Sequence, residues 1–240
     1  VCSSDLPATA VMRIFLVMRF LNAIVFVLVI AGNGLAATGK MSGRSIGLIA
    51  NQYRSLFLPA DYVFGIWSLI YLGLLILTIF QALPGDASTR SVRRTGPWWI
   101  IIGVLNVAWI STFSFSYFLG ALAIMAVLLG ALVVVFERVN GGEPRSIAEY
   151  WCVTVPTAIY LAWISVAIIA NIFQYAHVVE WNGFGISEST YAVVMMIVAT
   201  ALGWLMSYAR GAWVFPLVVA WALRGIGARY ADLSAIEIGR

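Results

Sequence analysis

Long apolar runs separated by short polar segments set the organisation of this chain, and each is close to the roughly 20 residues that a membrane-spanning helix needs. The pattern predicts spans at 14–37, 59–83, 97–118, 119–139, 150–173 and 190–208, with a shorter one at 213–226. Pro59 opens the second run, where a first helical turn tolerates proline, and Asp61 beside it is suited to capping free N–H groups. Pro156 is expected to kink the fifth run. The fourth run is apolar all round and is expected to be the most lipid-exposed. Asn22, Gly32, Asn33 and Gly34 in the first run should face other helices. Trp98 and Trp99 read as interfacial anchors. Segment 38–58 carries Ile46, Leu48, Ile49, Tyr53, Leu56 and Phe57, more apolar than a solvated loop needs, so it should fold back over one end of the bundle. Residues 84–96 form a polar connector.

Composition fixes the class. The chain is 62% hydrophobic and 10% charged, with a mean hydropathy of +0.97. A soluble domain carries about 25% charged residues. The expected fold is therefore all-α, a polytopic membrane helix bundle. The net charge of +4 comes from basic residues lying mostly between the apolar runs, where they orient helices, and no nucleic-acid partner is implied. With the N-terminus inside, inner segments hold Arg13, Arg19, Arg90, Arg93, Arg94, Arg138, Arg145 and Arg210; outer ones hold Lys40, Arg44, Arg54, Arg224, Arg229 and Arg240. That bias favours an N-inside protein, and a bacterial cytoplasmic membrane is the expected location. Cys2 and Cys152 imply no disulfide framework. Residues 1–11 are polar and lack an initiating Met, so they read as a disordered or non-native head before Met12; 227–240 reads as a soluble tail.

Little in the chain suggests soluble-enzyme chemistry. The single histidine, His177, lies near a loop, without the Cys/His partners of a structural metal site or the serine of a hydrolase. The single lysine, Lys40, lies in a loop, which excludes a buried Schiff-base chromophore of the usual kind. No catalytic or metal-ligating residue is assigned. What remains is aromatic and amide side chains inside helices: Tyr62, Trp67, Tyr71, Trp109, Tyr160 and Trp163, with Asn106 and Asn171. They are either core and belt packing or the flat walls of a pocket for an apolar ligand.

The stretch from Pro59 to Tyr71, PADYVFGIWSLIY, resembles the PxGWVFPxVWxxLY stretch of the TspO/MBR family, the tryptophan-rich sensory proteins and mitochondrial translocator proteins. Leu105-Asn106-Val107-Ala108-Trp109 is similar to that family's LNxxW. Tyr160-Leu161-Ala162-Trp163 with Ala167 and Asn171 is similar to its YLAWxxFAxxLN. The three motifs occur in family order on the second, third and fifth runs. Tyr62, Gly65 and Val166 depart from it, standing where the family has Trp, Pro and Phe.

The resemblance implies a five-helix core over 12–173 followed by two additional membrane helices over 174–226. It implies a pocket for porphyrins, haem-like tetrapyrroles or other apolar molecules, closed by the loop after the first helix, with no obligatory cofactor. The site residues carried over are Tyr62, Trp67, Asn106, Trp109, Trp163, Ala167 and Asn171. Implied partners are membrane lipid, an apolar or tetrapyrrole small molecule, and a second copy in a homodimer. A membrane sensor or binding protein is the leading reading and a secondary transporter of a small hydrophobic solute the alternative. Photochemical porphyrin degradation is associated with the family and is not assigned to this chain.

Overall fold

The computed structural model describes residues 8–53, 55–141 and 146–238. Residues 1–7 of the polar head, Arg54, Gly142, Pro144, Arg145 and Arg240 lie outside them. The described chain is helical throughout its long apolar runs: α1 (Ala8–Ala37), α2 (Ile46–Gln52), α3 (Ile66–Ala82), α4 (Asp86–Thr95), α5 (Trp98–Ser114), α6 (Phe118–Asn140), α7 (Ile147–Glu149), α8 (Val155–Val178), α9 (Glu188–Arg210) and α10 (Val214–Ile238). A 3₁₀ turn, Asp61–Gly65, leads into α3, and one π-helical turn, Tyr150–Thr154, leads into α8.

The chain is an all-α polytopic membrane bundle. Among the described residues, five segments are long and apolar enough to cross a bilayer, and α4 with α5 makes a sixth if that pair, bent by 57°, is one span. The final helix is not among them. It carries Arg224 and Arg229 and runs unbroken to Ile238, well past the expected end of the last span. At the bend, Gly96 adopts φ 53°, a left-handed backbone that glycine takes without a Cβ clash.

Four helices, α1, α3, α5 and α8, surround the interior, and small residues set their approach. A Cβ on Gly103 of α5 would lie 2.0 Å from Val25 Cγ1 of α1, and one on Gly73 of α3 would lie 3.0 Å from Pro156 Cβ. Pro156 does not break the fifth span, which runs from Ile147 to Val178. It sits at the first turn, and the π-helical turn before it re-pairs the backbone, Val155 N–H donating to Tyr150 O.

Segment 38–58 folds back over one end, as expected. Ser45 caps α2 by accepting from Leu48 N–H, Ile49 and Phe57 are fully buried, and Phe57 stacks on Phe173 of α8 at 5.3 Å.

Two expectations are corrected. α6 is not the most lipid-exposed span: it buries Ala121, Met125, Leu128, Leu132 and Val135 against α5 and α8, whereas α1 and α9 bury far less. Trp99 is not an interfacial anchor but is buried in the bundle; Trp98 does sit at the surface, under the Arg138 guanidinium at 5.6 Å. The 84–96 connector is a helix that buries Ser88, Ser91 and Thr95. Arg90 there pairs with the buried Glu149 at 2.9 Å.

Candidate functional site

Between α1, α2, α3, α5 and α8 lies a cavity of about 550 Å³. Its lining follows helical periodicity. Ile30, Asn33, Gly34 and Ala37 make one stripe on α1, and Trp163, Val166, Ala167, Ala170, Asn171 and Gln174 make another on α8. Phe64 lines it from the 3₁₀ turn, Trp67, Ser68 and Tyr71 from the start of α3, Trp109 and Phe113 from α5, and Ile46, Gly47 and Ala50 from α2.

Trp67 is the hub of the wall. Its ring stacks on Trp109 at 5.6 Å and on Tyr71 at 5.7 Å, and meets Trp163 edge-on at 6.3 Å and Tyr160 at 6.1 Å. Phe64 adds an edge contact with Trp163 at 6.2 Å. Offset and edge-to-face pairs of this kind are each worth about 0.5–1.5 kcal/mol beyond burial. The wall is therefore fixed before any ligand arrives. Trp109 and Trp163 are buried, and their indole Nε1–H groups are enclosed without a hydrogen-bond partner.

The floor is an amide relay. Asn33 Nδ2 donates to Asn106 Oδ1 at 2.8 Å, and Asn106 Nδ2 donates to the Tyr160 hydroxyl at 2.8 Å. The exposed lining residues Ile30, Gly34 and Ala37 of α1 and Ser68 of α3 show where the cavity opens, between those two helices. Above it, Gln174 Nε2 reaches Ile49 O at 3.5 Å and joins α8 to the covering segment.

Of the residues singled out in the sequence, Trp67, Trp109, Trp163, Ala167 and Asn171 lie together on the cavity wall. Asn106 lies one layer below, in the floor. Tyr62 is elsewhere: its half-exposed ring meets Trp221 of α10 edge-on at 5.5 Å. The stretch is also one residue shorter than the family pattern it resembles, between Phe64 and Trp67, which rotates everything before that point. Phe64 takes the wall position instead, and its place three residues before Trp67 was the available signal. Asn33, Phe113 and Val166 also line the cavity, although none of them is among the predicted site residues. His177 stands outside this cavity, with Nε2 3.0 Å from Glu188 Oε1.

Asp61 does not cap α3. It accepts from Asn51 Nδ2 at 3.0 Å and faces Arg229 of α10 at 3.6 Å. Arg229 also donates to Pro59 O at 3.0 Å and to Asn51 Oδ1. Trp221 Nε1 donates to Val63 O at 3.2 Å, Ala60 N–H donates to Gly225 O at 3.0 Å, and a Cβ on Gly225 would lie 2.0 Å from Val63 Cγ2. The last helix thus clamps the turn that leads into the aromatic wall.

Fold and site together define a polytopic helical membrane protein with an aromatic cavity inside the bundle. The TSPO-like protein family matches residues 19–238, and the chain belongs to that family. The match takes in α9 and α10 as well as the helices around the cavity. Membership places the chain among membrane proteins of the binding or sensor kind. No curated protein and no solved structure matches the chain.

Proposed function

We propose that the protein binds a flat, largely apolar small molecule of tetrapyrrole class in the aromatic cavity and acts as a membrane sensor or binding protein. The observation that carries this reading is the cavity wall itself: three indoles from three helices, Trp67 in contact with both Trp109 and Trp163, around a space within the 300–1,000 Å³ range of small-molecule sites. Flat rings suit a flat ligand. An opening between α1 and α3 suits arrival from within the membrane. The basic-residue bias supports the N-inside orientation, in a bacterial cytoplasmic membrane on this reading, which puts the covering segment on the outer side.

Titration of the purified protein with protoporphyrin IX tests the reading through tryptophan fluorescence. Saturable quenching with one site per chain is expected. Absence of saturable quenching by any tetrapyrrole overturns it. Protein-dependent accumulation of the porphyrin in proteoliposomes would move the assignment from sensor to transporter.

A further inference from the structure

A second cavity, of about 500 Å³, lies where the end of α8, the 179–187 loop and the start of α9 meet. It shares no lining residue with the aromatic cavity. Its inner surface is apolar, from Ile169, Phe173 and Met195. Its rim is different in kind. The rings of Trp181 and Tyr191 stand 5.3 Å apart, and Tyr191 is anchored by its hydroxyl donating to Gly183 O at 3.2 Å. Glu180 and Glu188 line the same cavity, and segment 174–189 has no Lys or Arg. Glu188 accepts from Leu56 N–H at 2.6 Å and meets His177. Glu180 is exposed, and its carboxylate has no hydrogen-bond or ion-pair partner among the described residues.

An aromatic belt residue at a membrane surface needs no carboxylate beside it. An apolar chamber rimmed by two aromatic faces and two carboxylates, with no Lys or Arg in its lining and its histidine, His177, held against Glu188, matches a ligand with a greasy tail and a positive head. The tail fills the apolar interior. The cation lies over the ring faces, where the quadrupole attracts it, and within reach of the carboxylates.

We infer that this cavity is a second binding site, for an amphipathic organic cation carrying an alkyl tail and an ammonium head. The head group can belong to a membrane lipid or to a soluble amphiphile, and both present the same chemistry to Glu180, Trp181 and Tyr191.

The test uses the full chain in phosphatidylglycerol nanodiscs and dodecyltrimethylammonium as the probe, with calorimetry as the readout. One saturable site per chain is expected, and dodecanol, with the same tail and no charge, should not displace the probe. Glu180→Gln should weaken binding about threefold, and Trp181→Ala with Glu180→Lys about tenfold or more. The Glu180 side chain holds no partner in the fold, and its backbone bond to His177 O survives replacement, so the fold stays intact, which an unchanged thermal transition checks. Repeating the titration in phosphatidylcholine nanodiscs separates the two sources. Loss of apparent affinity there assigns the lipid head group as occupant, and unchanged affinity assigns the soluble cation. Equal probe affinity in wild type and in Glu180→Lys with Trp181→Ala overturns the inference. So does displacement by dodecanol at the same concentration.

Discussion

The same four helices build two opposite interiors. Toward the covering segment, α1, α3, α5 and α8 enclose the aromatic cavity of about 550 Å³. Toward the other end they leave a void of about 30 Å³, the size of one water molecule, beside Asn22, Trp99 and Asn106. The closed half is stitched by amides and hydroxyls: Asn22 donates to Gln81 at 2.8 Å, and Gln81 donates to Ser91 at 3.1 Å and Thr95 at 3.2 Å. Gly103 brings α1 and α5 together there. The open half has large rings in contact with each other and small side chains opposite, Gly34, Gly47, Ala167 and Ala170. The lesson is physical. Hydrogen-bonded amides and a glycine draw helices together, whereas rings braced against one another leave space facing the small residues. The Asn33–Asn106–Tyr160 relay is the partition between the two halves.

Filling the open half should give the largest effect. Ala167→Trp places a fourth indole in the cavity and should weaken protoporphyrin IX binding about a hundredfold, or ~2.7 kcal/mol, measured by fluorescence titration. The thermal transition should change little, since the added ring enters existing space. Breaking the partition comes next. Asn106→Leu leaves Asn33 and Tyr160 without a shared partner and should cost about 2 kcal/mol of stability in detergent unfolding. Its effect on ligand affinity should be smaller than its effect on stability, because Asn106 is not in the cavity lining. Arg229→Ala removes the clamp on the turn before α3 and should weaken binding about fivefold, mostly through faster release, as stopped-flow measurement would show. The smallest effect belongs to Tyr62→Ala. Its ring rests on Trp221, so ligand affinity should change by less than about twofold. A large loss there would mean that α10 and the cavity are more tightly coupled than the contacts indicate.

Much of the open half was legible in the chain because α-helical spacing carries directly into space. Trp163, Ala167 and Asn171 are four apart and fall on one wall. The membrane class followed from hydropathy, and the returning 38–58 segment from apolar residues where a solvated loop would have none. Tyr62 falls off the wall because five residues before Trp67 is a different helix face, whereas three before, at Phe64, is nearly the same one. The burial of α6 was hidden because it is apolar on every side, so periodicity had no contrast to report. The role of α10 was hidden for another reason. Arg224 and Arg229 read as topology signals, and only the folded chain brings Arg229 to Pro59, Asn51 and Asp61.

Each half of the bundle has its own buried tryptophan chemistry, which allows one direct test. Protoporphyrin IX is titrated into wild type, Trp67→Ala and Trp99→Ala, with binding followed by the porphyrin absorption band so that loss of an indole does not alter the readout. Trp67 is the hub of the open half, and Trp99 lines the closed one. Loss of saturable binding in Trp67→Ala, with wild-type affinity kept in Trp99→Ala, is the predicted result. Wild-type affinity in Trp67→Ala would contradict the account.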